Sequence, residues 1–268
     1  MRYKRCLITI ATFLTMVLAS VSARAFDHDR FDRLLSEHVV SIDQGVATEV
    51  DYAALLEVRS ELRGYLDDLA GVSREAFDQW PASEQLAFLI NAYNAATLDL
   101  IFTEYPGLES IRDIGWLFQS PWKRDFVQLL GDERSLDNIE HDLIRGSGRY
   151  NEPRIHFAVN CASIGCPALR TEAYTADKLD TQLEEQTRLL LADRSRNRLD
   201  ESKLEVSSIF DWYREDFEAG WRGQDSLAGF LALYADSLEL NPADVSRLIN
   251  GEIDIDFLDY DWTLSDLN

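Results

Sequence analysis

The chain has 268 residues, 46% of them hydrophobic and 11% aromatic, ample for one large core or two small ones. Acidic residues number 48 against 26 basic ones, a formal charge of -22. That imbalance excludes attraction to a nucleic-acid backbone or to an anionic membrane surface, because both need an excess of Lys and Arg.

At the amino terminus Arg2, Lys4 and Arg5 precede the apolar run CLITIATFLTMVLASV and then SARA, with Ala23 and Ala25 at the small-residue positions. The pattern predicts a signal peptide over residues 1–25, cleaved after Ala25, since the apolar run is short for a span of ~20 residues. The mature domain, 26–268, is expected in the periplasm or secreted, with no stable membrane insertion after cleavage. Four basic residues leave with the leader, so 22 face 48 acidic ones.

Residues 27–40 carry Phe31, Leu34, Leu35 and Val39 at helical spacing, and His28 and His38 are read as solvated groups on that acidic helix. Leu55, Leu56, Leu62, Tyr65 and Leu69 continue the 3.6-residue period. A short helix in SREAFDQW stops at Trp80-Pro81. The segment SEQLAFLINAYNAATLDLIFTEYP then reads as a long central helix, apolar nearly all round and ended by Tyr105-Pro106. Within it Asn91 and Asn94 share a face, and buried amides cost about 1–3 kcal/mol each when unsatisfied. They either tie down a loop's backbone or line a polar pocket.

Phe126 to Leu130 predicts a strand turning at Gly131-Asp132. SLDNIEHDLIRG predicts a helix with Ser135 as cap, in which Glu140 and His141 diverge by ~100°. RIHFAVN, β-branched and aromatic, predicts a strand with His156, Ala158 and Asn160 on one face. Asn160 joins Asn91 and Asn94 as a candidate ligand-binding group. CASIGCPALR reads as a turn, followed by amphipathic helices over 175–192, with Thr175 as cap, and over 224–238. A helix opens at Ser208, and IDIDFLDYDWTL alternates as a closing strand. Its acids lack the glycine-centred register of a calcium loop. The expected architecture is a helix-rich α+β single domain with a small central sheet.

The segments AFLINAYNAATL, SLDNIEHDLIR, RIHFAVNCASIGCPAL, IFDWYREDF and YDWTLSD stand in the order seen in the domain of unknown function 547 family, which the chain resembles across nearly its whole mature length. Leu89 stands where an aromatic is common, and Ala168 where a second proline is. The resemblance implies no reaction. It implies that Asn91, Asn94, Glu140, His141, His156, Cys161, Cys166 and Asp216 match family motif positions.

Three readings of the site follow from the residues. In the first, Cys161 is a thiol nucleophile activated by His156 or His141, with Glu140 or an asparagine orienting the ring and the amides of the following turn stabilising an oxyanion. Hydrolysis or transfer at an amide, ester or peptide-like bond would result. Both histidines precede both cysteines, so a papain-like chain order is excluded and only a permuted thiol-hydrolase-like arrangement remains. In the second, Cys161 and Cys166 form a structural disulfide in an exported, non-catalytic binding protein. In the third, His141, His156, Cys161 and Cys166 hold zinc, which the wide spacing of the histidines argues against. No metal and no cofactor is expected; the expected partner is a small-molecule or peptide-like ligand, and not nucleic acid.

Overall fold

The computed structural model describes residues 25–115 and 120–267. The predicted leader, Ala25 apart, lies outside the described residues. In chain order, α1 (Asp29–His38) leads into the antiparallel pair β1 (Val39–Ile42) and β2 (Ala47–Val50). Helices α2 (Tyr52–Glu57), α3 (Arg59–Ala70) and α4 (Arg74–Phe77) then pack around α5 (Ala82–Ile101).

Helix α5 is the axis of the molecule. Seventeen of its residues are buried, from Glu84 to Ile101 with only Asp99 spared. Burying each Leu, Ile or Phe is worth roughly 1.5–3 kcal/mol, so a helix apolar on every side is driven to the centre. Its occupation of the middle explains a difference from the sequence reading. There is no central sheet among the described residues; three small sheets lie around the helices instead. Besides the first pair these are β3 (Val127–Leu129) with β4 (Asp132–Arg134), and a three-stranded sheet in the carboxyl half.

The start of the described chain is pinned to α5. The Phe26 amide donates to Glu84 Oε1 at 2.7 Å, and the Phe26 ring meets Phe88 edge-on at 5.1 Å. His28 lies 2.7 Å from the Tyr65 hydroxyl and is only 6% exposed, contrary to its reading as a solvated group. Burial lowers its pKa to about 4 against the opposing charge of Asp27.

Beyond β4 comes a π-helix, Asn138–Arg145, then a short 3-10 helix, Pro153–Phe157. The latter corrects the strand expected for RIHFAVN. Pro153 supplies a helical φ at the first position, and Glu152 accepts the Arg154 amide. Residues 153–160 are all buried, so a period-2 alternation has no solvent face to serve.

Helix α6 (Leu179–Ala192) begins after the predicted cap, with Thr175 Oγ1 unpartnered. Next come β5 (Arg198–Asp200), β6 (Lys203–Ser207), α7 (Ile209–Trp212), α8 (Arg214–Phe217), α9 (Leu227–Ala232), α10 (Pro242–Ile249) and β7 (Asp254–Leu258). Strand β6 pairs antiparallel with β5 and parallel with β7. Rings of Phe157, Phe210, Phe217 and Phe230 form a second core, adjoining the one built on α5. The site lies at the seam between them.

Candidate functional site

The π-helix supplies the first wall. Its wide winding is closed by the Gly146 amide, which donates to His141 O at 2.7 Å. A Cβ at Gly146 would sit 2.7 Å from that same oxygen, so only glycine ends the turn there. One widened turn presents Asp137, Glu140 and His141 to a single cavity, a familiar use of π geometry.

Facing it is His156, side chain wholly buried, with its ring stacked on Tyr213 at 3.8 Å. Nε2 donates to Asp216 Oδ2 at 2.6 Å. Asp216 belongs to α8 and is also gripped by Arg145, whose Nε donates to Oδ2 at 2.6 Å and whose second nitrogen donates to Oδ1 at 3.2 Å. Burial opposes ionisation of Asp216, yet the bonds and charges of His156 and Arg145 outweigh it and hold its pKa well below the carboxylate range. Burial lowers the pKa of His156 despite Asp216 and Glu140. The ring is therefore neutral, and with its proton on Nε2 its Nδ1 carries a free lone pair. Nδ1 has no hydrogen-bond partner and lies 3.9 Å from Glu140 Oε1, which has none either.

Arg145 also donates to His141 Nδ1 at 2.9 Å, and its guanidinium lies 4.9 Å from the centre of the Tyr213 ring. Burial, followed by the charge of nearby Glu140, drives the pKa of Tyr213 far up.

The third wall is the cysteine turn. Cys161 and Cys166 are joined as a disulfide. The turn is clamped by the chain's last segment: the Ile164 amide donates to Thr263 O and the Gly165 amide to Asp261 O, each at 2.8 Å. A Cβ on Gly165 would lie 2.8 Å from two Tyr260 ring carbons and 2.9 Å from Asp261 O, so the close approach requires glycine. Tyr260 places its hydroxyl 3.1 Å from Cys161 Sγ and 3.2 Å from Cys166 Sγ. Burial raises its pKa, so it remains a neutral donor.

These walls enclose a cavity of about 230 Å³. All four candidate catalytic residues, Cys161, His156, His141 and Glu140, line it together with Cys166, Tyr213, Tyr260 and the indoles of Trp122, Trp212 and Trp262. The candidate ligand-binding asparagines do not. Asn91 spends its amide on both the N–H and the carbonyl of Tyr174. Asn94 holds the Ala158 carbonyl and the Asn160 amide, while Asn160 holds the Pro167 carbonyl and the Ala162 amide. Each of the three thus bonds backbone through both its nitrogen and its oxygen, which fixes the turn.

Of the expected oxyanion amides, those of Ala162, Ile164, Gly165 and Cys166 each donate within the protein. Spacing did not reveal Asp216, Tyr213, Arg145 or Tyr260 as site groups. The nearest signals were Asp216's place in a family motif and the reading of Asp211 and Asp216 as acids that could partner a histidine, which spacing alone did not assign. Among the described residues no group of three or more His, Cys, Asp or Glu is arranged to hold a metal ion. None of the described helices is long and apolar enough to cross a membrane.

Fold and site thus define a helix-rich α+β protein with a disulfide-lined, histidine-bearing cavity between two cores. Residues 77–191 match the family described as "Protein of unknown function, DUF547". The matched span contains α5, the π-helix, His156 and both cysteines, whereas Asp216 and Tyr260 come from beyond it. No curated protein and no solved structure matches the chain.

Proposed function

We propose that the protein is an exported thiol-dependent acyl hydrolase or acyltransferase whose nucleophile is Cys161, released when a small dithiol reduces the Cys161–Cys166 bond. In that step the dithiol becomes a disulfide and both cysteines gain a proton. One observation carries the reading: His156 is held by Asp216 through Nε2, which leaves Nδ1 without a partner, and His156 and Cys161 line the same cavity. A base oriented by a carboxylate in the same cavity as a cysteine that reduction would free is a pairing that nucleophilic acyl transfer can use.

The chemistry runs as follows. His156 Nδ1 takes the Cys161 proton, and the thiolate attacks an acyl carbon. The imidazolium, stabilised by Asp216 and Glu140, returns the proton to the leaving group. Water, deprotonated by Nδ1, then cleaves the thioester. Tyr260, neutral and 3.1 Å from the sulfur, is the donor closest to the developing oxyanion. Intact mass of the reduced protein after incubation with N-acyl p-nitroanilides tests the reading: an acyl adduct confined to Cys161 supports it, and none under any dithiol concentration defeats it.

The alternative is a non-catalytic ligand-binding protein. The bonded sulfurs, ringed by the Tyr260 and Ser163 hydroxyls, favour it. Its mark would be ligand affinity unchanged by reduction, with no adduct.

A further inference from the structure

We infer that the Cys161–Cys166 bond is an exchange centre that opens in one sense: an incoming thiolate is taken up on Cys161 and Cys166 departs as the thiolate, so that the protein oxidises thiols brought into the cavity. The inference deepens the reductive opening invoked above, makes it an activity of its own, and stands without the acyl transfer.

Two bonded sulfurs are chemically alike until the fold tells them apart, and here it does so in two ways. Cys161 is half-buried whereas Cys166 is 3% exposed, so a thiolate arriving from outside meets Cys161. The second distinction is electrostatic. The Cys161 amide donates to Cys166 Sγ at 2.9 Å. The Tyr260 and Ser163 hydroxyls lie 3.1 and 3.2 Å from Cys161 Sγ, and 3.2 and 3.5 Å from Cys166 Sγ, so they serve either sulfur. The Arg196 guanidinium donates to the Cys166 carbonyl, which brings a cation to that same side, and Asp193 steadies it at 2.7 Å. An N–H on the sulfur and a nearby cation both stabilise a thiolate, and the more stable thiolate leaves faster in exchange.

In the first step the incoming sulfur bonds Cys161 Sγ and the electron pair of the old bond passes to Cys166 Sγ. A mixed disulfide on Cys161 and a thiolate on Cys166 result. A monothiol stops there. In a dithiol the second thiolate attacks the substrate's own sulfur in the mixed disulfide, closing the substrate disulfide and releasing Cys161 as a thiolate. Two electrons have then passed from substrate to protein, and the two thiol protons end on Cys161 and Cys166. The walls choose the carrier. Trp122, Trp212 and Trp262 line the cavity, Trp212 being 47% exposed, and the chain carries a formal charge of -22. Thiols on aromatic or apolar carriers without negative charge suit such a lining.

Brief exposure of the full chain in its disulfide form to benzyl mercaptan tests this. The reaction is stopped with acid, free thiols are blocked with N-ethylmaleimide, and fragmentation of the tryptic peptide 155–170, which holds both cysteines, locates each group. The benzylthio group is expected on Cys161 and the maleimide on Cys166, at least ~tenfold over the reverse, as one bond to a charged sulfur would give. The bias should vanish when the same reaction is run in urea. Equal labelling of the two cysteines in native protein, a benzylthio group placed mainly on Cys166, or a bias that persists in urea overturns the inference. So does the absence of any mixed disulfide in native protein at thiol concentrations that modify the unfolded chain. No acyl compound is present, so failure to form an acyl-enzyme counts against the proposed reaction alone and leaves this result standing.

Discussion

Asp216 accepts the Nε2–H of His156 at 2.6 Å across 60 residues of sequence, and it is this bond that leaves Nδ1 as the unpartnered ring nitrogen. Asp216→Asn presents an amide that can satisfy the opposite tautomer. The expected result is a fall in acyl-enzyme formation of about 10²- to 10⁴-fold with substrate affinity little altered, read by single-turnover mass spectrometry. Loss of the Arg145 partner should also lower stability by about 1–3 kcal/mol in urea unfolding.

The bond between Cys161 and Cys166 closes a short loop, worth about 2 kcal/mol in the chain-entropy picture. Iodoacetamide should label neither sulfur before reduction. After dithiothreitol, Cys161 should react first, because Cys166 is buried and Cys161 only half-buried. Peptide mapping of a brief alkylation reads the order, and Cys166→Ser should leave Cys161 labelled without reductant.

Gly165 has no room for a methyl against Tyr260 and Asp261. Gly165→Ala is expected to cost about 1–3 kcal/mol by overpacking and to loosen the Tyr260 hydroxyl from the sulfurs. Thermal unfolding measures the first effect. Faster reduction of the disulfide measures the second, and a variant that melts and reduces like the parent would contradict it.

His28 gives the stability a definite pH slope. An unfolded imidazole binds a proton near 6.5, whereas the buried ring resists until about 4. Between those values the unfolded state takes up a proton that the folded state refuses, so stability falls as pH drops and levels off below the folded value. The loss attributable to His28 is about 2–3 kcal/mol. His156 is shifted in the same direction. Subtracting the His28→Gln curve from the parent curve in urea titrations at pH 4, 5, 6 and 7 isolates the His28 share.

What the sequence discloses here is local. The apolar circumference of α5, the cap at Ser135 and the turn at Gly131 are written in adjacent residues, whereas the cysteine turn left disulfide, nucleophile and zinc ligand all open. The strand predicted at His156 failed because burial on every side removed the alternation that separates strand from turn. The asparagines of α5 looked like pocket groups only because their partners, Tyr174 and the 158–160 backbone, come from distant chain. Tyr260 was hidden, and Asp216 left as an acid that could partner some histidine, for the same reason: no spacing rule links a carboxylate in α8, or a phenol after β7, to a cavity walled by the π-helix.

The contact between Phe26 and Glu84 bears on the proposed cleavage after Ala25. Cleavage after Ala25 would turn the Phe26 amide into an ammonium group, 2.7 Å from a carboxylate that is almost wholly buried. One neutral hydrogen bond would become an ion pair sheltered by the Phe88 and Trp80 rings. Peptidase action would then do more than free the chain: it would create the counter-charge for Glu84, and the processed protein would hold its first helix through a bond that the precursor cannot make.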